Sequence, residues 1–192
     1  MIEINKDEIQ YIPIINHIAS KSDLDMLTDS FVSKDVRLDT WIRNLSNAYE
    51  HHILGLVSTT LIMHGGKLIG FYAARVGNLE VEEDEKKQLK GEAYIPSVEI
   101  LYFVMHKDYE GQGIGSMTMM DLIADLIEAN AYMAIRYLFC WSVDVPKTLH
   151  FYRNRGFDMM DTQQDGLRLM RFAIPDTRDI QLISEYNDDL LI

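Results

Sequence analysis

The run Tyr109-Glu110-Gly111-Gln112-Gly113-Ile114-Gly115-Ser116 is the part of this chain best suited to hold a ligand. Three alternating glycines let backbone N–H groups point into one concavity, and a helix starting at their end adds the positive pole of its dipole. Such a turn binds a diphosphate without basic side chains. Glu99 is the only charge in the apolar run 98–105. A carboxylate in a buried strand is costly unless paired, and burial raises its pKa toward the value a general base needs. The structural alternatives are an exposed place at the strand's start or a pair with an arginine. His64, His106 and His150 lack metal-ligand spacing, and His51 and His52 are adjacent, so no metal site is expected. Cys140 lies in an apolar run and reads as a buried, inert thiol. Met117, Met119 and Met120 stand at helical spacing and read as core.

The elements around these residues follow from periodicity. Residues 9–15, broken by Pro13, suit a first strand at a sheet edge. Residues 23–31 and 38–49 read as helices, the second with Leu38, Trp41, Ile42, Leu45 and Ala48 along one face. Residues 57–63 and 67–76 are strand-like around Gly65-Gly66, which predicts a tight hairpin. A polar stretch covers 77–96. The nearly all-apolar run 98–105 predicts a central strand covered on both faces. Residues 116–130 form a helix with Thr118, Asp121, Asp125 and Glu128 on its polar face, and Met119, Met120, Ile123, Leu126 and Ile127 on the other. Residues 135–143 are a second buried strand. Pro146 opens a short helix, Gly156 sits where its C-terminal cap belongs, and 157–160 and 167–174 close as strands. Helices and a hairpin followed by alternating strands and helices predict a mixed α/β sheet in one domain over 1–192.

A dinucleotide-binding turn would follow the first strand directly and carry an acidic residue about 20 positions on. Here five residues separate strand from glycines, and the motif lies past the middle of the chain. Residues 98–157 instead resemble the GCN5-related N-acetyltransferase superfamily. Its Arg/Gln-x-x-Gly-x-Gly/Ala pattern is matched by Glu110-Gly111-Gln112-Gly113-Ile114-Gly115, with Glu110 in place of Arg or Gln. Its Phe-Tyr-x-x-x-Gly-Phe pattern is complete in Phe151-Tyr152-Arg153-Asn154-Arg155-Gly156-Phe157. Val145 stands where the family often carries Asn.

The resemblance implies an acyl-CoA N-acyltransferase fold, a central mixed sheet flanked by helices, with a cofactor-binding core at about residues 98–160. It implies acetyl-CoA as cosubstrate, its diphosphate held by Glu110 to Ser116 and its pantetheine arm by backbone amides of Phe103, Val104 and Met105. It assigns Tyr152 as the general acid for the departing thiolate, a proton a phenol can give. It assigns Glu99 as the general base for a primary amine that attacks the thioester directly. A carboxylate beside a diphosphate is unfavourable, so Glu110 is expected to lower affinity. Phe31, Leu38-Asp39-x-Trp41-Ile42 and Gly70-Phe71-Tyr72 look like the layout of toxin-type acetyltransferases that modify aminoacyl-tRNA. A non-catalytic acyl-CoA sensor, and a subunit that binds a basic protein through its acidic loop and tail, are the alternatives from other classes.

Composition bounds the partners. The 192 residues are 47% hydrophobic and 25% charged, the balance of a globular protein. Eighteen basic against thirty acidic residues give a net charge of −12, which argues against nucleic acid and anionic membrane as partners. The acceptor is then expected to be an amine-bearing small molecule or peptide, and a homodimer is compatible with the sequence. No apolar run reaches membrane-spanning length, the N-terminus lacks a signal-peptide core, and the lone Cys140 fits a reducing cytoplasm.

Overall fold

The computed structural model describes residues 5–81, 83–87 and 89–175. Among the described residues seven strands form one sheet: β1 (Ile9–Pro13), β2 (Ser58–His64), β3 (Lys67–Glu80), β4 (Tyr94–Met105), β5 (Tyr137–Val143), β6 (Asp158–Gln164) and β7 (Leu167–Ala173). Their spatial order is β1-β2-β3-β4-β5-β7-β6. Sequential strands joined by short turns pair antiparallel, as β2 with β3 and β6 with β7 do. The neighbours β4 and β5 are instead linked through a helix. The helices are α1 (Lys21–Thr28), α2 (Val36–Arg43), α3 (Glu50–Ile53), α4 (Glu83–Lys86), α5 (Ile114–Ala129) and α6 (Pro146–Arg153).

Two compact units divide the chain. One holds the described residues up to Arg75 together with Ile100–Gly115. Its core gathers Ile14, Leu24, Phe31, Ile42, Leu61 and Phe71, all fully buried. Trp41 stacks on Phe71 at 5.8 Å and tilts against Tyr102 at 4.7 Å. Helix α1 starts because the Ser20 side chain accepts from the Asp23 N–H at 3.2 Å, and α2 because Asp35 accepts from the Arg37 N–H at 2.9 Å. The expected helix over 38–49 is broken. Asn44 is extended, and its side chain accepts from the Ser46 N–H at 3.0 Å, starting the π-turn Leu45–Tyr49. A short amide that competes for backbone donors explains the break. The apolar stripe survives it: Ile42 and Ala48 are buried, and Leu38, Trp41 and Leu45 pack against them.

The second unit holds Val76–Glu99 and the described residues from Ser116 onward. Leu79, Val81 and Ile95 pack with Tyr137, Phe139 and Leu169. Strands therefore run into both ends of the stretch read as polar loop, the alternating Leu79 and Val81 being its strand signal. The Tyr137 hydroxyl donates to Glu85 at 2.7 Å, and Arg171 reaches the other Glu85 oxygen at 2.9 Å. Thr118, placed on the polar face of α5 by sequence, is buried, and Met120 is half exposed. The buried face runs through Ile114, Thr118, Met119, Leu122 and Ile123, one i, i+4 stripe and its neighbour, and position 120 falls outside it. The acidic tail beyond residue 175, with Ile180, Leu182, Ile183 and 190–192, lies outside the described residues.

Candidate active site

The first unit carries the glycine turn. Strand β4 ends at Met105, a single 3-10 turn (Lys107–Tyr109) follows, and α5 starts at Ile114. Gly111 and Gly113 have φ of +75° and +83°, the left-handed region that glycine enters without steric cost. Gly115 lies within the first turn of α5. Ile114 is buried against Ile62 and Ile69, with Ile9, Tyr11, Met105 and Tyr109 around it, and this apolar plug anchors the turn to the sheet. Gln112 donates from Nε2 to the Asp108 carbonyl at 2.8 Å, so its side chain braces the turn from within.

Glu110 is held by an ion pair from Lys34. A Cβ on Gly111 would meet nothing within 4 Å, and one on Gly113 would lie 3.2 Å from the Lys6 ammonium. The turn thus joins backbone in a left-handed conformation, a helix start and two lysines from the front of the chain. These features suit a diphosphate. Neither lysine is near the turn in sequence, and no local signal marks them. Phe103 stacks on Tyr72 at 6.4 Å, while Val104 is buried and Phe103 and Met105 are partly so.

The second unit carries the titratable groups. Glu99 is buried in β4, and its charge bears on the thiol of Cys140 in β5. Tyr152 is buried in the last turn of α6, edge-on to Phe151 at 5.2 Å and to Phe157 at 5.3 Å. The turn behind it explains its place. Gly156 takes φ of +81°, its N–H donates to the Arg153 carbonyl, and the Phe157 N–H donates to the Tyr152 carbonyl. That closure folds Phe157 back onto the tyrosine ring. Burial, reinforced by Cys140, raises the Tyr152 phenol well above its ordinary value. Burial pushes the Cys140 thiol up to about 12, against the opposing hydrogen bond from Tyr152. Such a thiol is no nucleophile at neutral pH. Val145 caps α6 without a side-chain bond.

Arg155, inside the same motif, is a residue that sequence reasoning passed over. Its guanidinium lies 3.8 Å from the Phe151 ring centroid and donates to the Phe151 carbonyl and to Ser116 Oγ in the first turn of α5. Among the described residues no group of three or more His, Cys, Asp or Glu could hold a metal ion, and no helix is long and apolar enough to cross a membrane.

The model of the Acetyltransferase (GNAT) family matches residues 22–157. Among solved structures, a mutant of KacT is similar over 92% of this chain and 99% of its own, at 17% identity and a TM-score of 0.70. AtaT complexed with acetyl-methionyl-tRNAfMet covers 91% and 98%, at 17% identity and a TM-score of 0.72. A mutant AtaT toxin bound to the C-terminus of the antitoxin AtaR and acetyl-CoA covers 92% and 98%, at 15% identity and a TM-score of 0.67. No curated protein sequence matches this one. The expectation from net charge that a nucleic-acid partner is unlikely finds no support in these neighbours, since one of them is held with acetyl-methionyl-tRNAfMet. Net charge sums the whole surface, whereas binding needs only a local patch.

Proposed function

The chain belongs to the acetyltransferase (GNAT) family, and from that premise we propose that it transfers acetyl from acetyl-CoA to a primary amine by direct attack. The observation that carries this reading is the glycine turn, left-handed at Gly111 and Gly113 and opening into α5. When bound, acetyl-CoA supplies the acetyl group as a reactive thioester. The backbone N–H groups of residues 111–116 would hold its diphosphate, and the β4 backbone at Phe103, Val104 and Met105 its pantetheine arm.

Glu99 removes the proton from the attacking amine, directly or through water, because only a neutral amine has the lone pair to react. Tyr152 delivers its phenolic proton to the departing sulfur. Its raised pKa keeps that proton in place at neutral pH. Backbone donors that meet the developing oxyanion lower the barrier without reorganising.

A second reading narrows the acceptor to the α-amine of an aminoacyl-tRNA. It is favoured by fold similarity over nearly the full length of AtaT, including its complex with acetyl-methionyl-tRNAfMet. The same neighbours raise a partner protein of the antitoxin kind as a candidate. The deciding experiment is an acetylation screen of the purified protein with labelled acetyl-CoA over polyamines, amino acids, peptides and charged tRNA. Label on any amine supports the enzyme. Cofactor binding without transfer to any acceptor would reduce the protein to an acyl-CoA sensor. Transfer confined to charged tRNA would establish the second reading.

A further inference from the structure

We propose that Lys6 and Lys34 supply the positive charge at the glycine turn: Lys6 as a direct partner of the diphosphate, Lys34 as the residue that neutralises Glu110. The inference rests on the acetyl-CoA reading and adds two residues to it. Glu110 opens the turn with a carboxylate, and a diphosphate held by the turn would bring further negative charge that this carboxylate repels. A chain that binds an anion there must cancel the carboxylate.

Lys34 does so through its ion pair, from a side chain that is 62% exposed but follows a backbone segment held in place. The segment before it is stitched to the end of β4: the Lys107 N–H donates to the Val32 carbonyl at 2.8 Å, and His106 Nε2 bonds the Ser30 carbonyl at 3.1 Å. Arg43 donates to the Phe31 carbonyl at 2.6 Å, and the Ser33 N–H donates to the buried Asp39 carboxylate at 2.9 Å. These bonds deliver Lys34 to the turn from a position 76 residues away.

Lys6 arrives by another route. It begins the 3-10 turn Lys6–Glu8, capped by Asn5, which runs into β1. From β1, Ile9 and Tyr11 pack on the apolar cluster that contains Ile114. The turn therefore sets the Lys6 ammonium 3.2 Å from where a Gly113 side chain would start, beside the glycine turn.

The test measures the dissociation constant of CoA by calorimetry for Lys6→Met, Lys34→Met, Glu110→Gln and the double variant Lys34→Met/Glu110→Gln. Melting temperature without ligand checks that each folds, and Lys6→Arg and Lys34→Arg keep the charge. Lys6→Met should weaken CoA roughly tenfold and flatten its salt dependence, the loss of one charge-assisted bond. Lys34→Met should weaken it several-fold, and adding Glu110→Gln should restore it. Pantetheine, which has no phosphate, should bind all variants equally. Wild-type affinity in both lysine variants overturns the assignment while leaving the acetyl-CoA reading intact. A double variant as weak as Lys34→Met overturns the neutralising role. If the unaltered protein binds no CoA at all, the underlying reading fails instead.

Discussion

The phenol of Tyr152 and the thiol of Cys140 are both buried, and each bears on the other's proton. The pair links the last turn of α6 to β5 inside one unit. Each group keeps its proton at neutral pH, because burial penalises the charged form of both. A phenol assigned to protonate a leaving thiolate has to be in this state.

Tyr152→Phe removes one oxygen and leaves the ring between Phe151 and Phe157. Turnover should fall roughly 10²–10⁴-fold while acetyl-CoA affinity stays within a few-fold, the pattern of an interaction made in the transition state. Stability should change by about 1 kcal/mol or less, the value of one lost hydrogen bond. Steady-state kinetics beside calorimetry check this; intact turnover would make the tyrosine structural.

Alkaline pH should destabilise the fold through the same pair. The unfolded thiol loses its proton near its ordinary 9.0, while the native thiol holds it to about 12. The unfolded state then binds fewer protons, so stability is full below pH 9 and declines as pH rises toward 12. Urea midpoints from pH 8 upward should show the decline, and Cys140→Ala should make it shallower.

Glu99→Gln keeps the shape and removes the base. The rate at pH 7 should drop roughly 10²–10⁴-fold and recover in part at high pH, where the acceptor amine deprotonates in solution. A pH–rate profile of both proteins decides it, and an unchanged profile would place the base elsewhere.

Gly113→Ala forces a side chain into φ of +83° and toward the Lys6 ammonium. The strain costs about 1–2 kcal/mol, and the added methyl narrows the turn. Acetyl-CoA should raise the melting temperature of the native protein, because a ligand bound only by the folded state stabilises it, and should shift the variant far less. An equal shift in both would remove the diphosphate from this turn.

Glu85→Gln should destabilise the protein at neutral pH. Burial alone would raise the Glu85 pKa, but the bonds from Arg171 and Tyr137 outweigh it and lower it. The carboxylate's contribution is therefore present above the ordinary 4.5 and is lost as pH falls through the lowered native value. The loss at pH 7 should be about 1.5–3 kcal/mol, the range for a hydrogen bond to a charged group, and the two proteins should converge in acid. Melting curves at pH 7 and pH 3 test the sign.

Much of the framework could be read from local pattern. The hairpin at Gly65-Gly66, the apolar run of β4, the Pro146 start and Gly156 stop of α6, and the glycine turn all depend on residues close in sequence. Turn chemistry and hydrophobic period act at that range. Local reading failed at Asn44, where a side-chain bond outcompeted helix propagation, and at Thr118, where the set of the i, i+4 stripe against the sheet decided which residues were buried.

The chemistry of the site divides in the same way. The glycine turn and Glu99 stand out by type and spacing and Tyr152 through the family resemblance, so the sequence by itself determined which family to expect and which groups to suspect. The tertiary structure decided who accompanies them: Lys34 on Glu110, Lys6 beside Gly113, Cys140 on Tyr152 and Arg155 on Ser116. All but the pairing of Cys140 with Tyr152 join residues far apart in the chain. A lysine 76 positions from its carboxylate leaves no trace in period or motif, because charge acts through distance in space and only folding sets that distance.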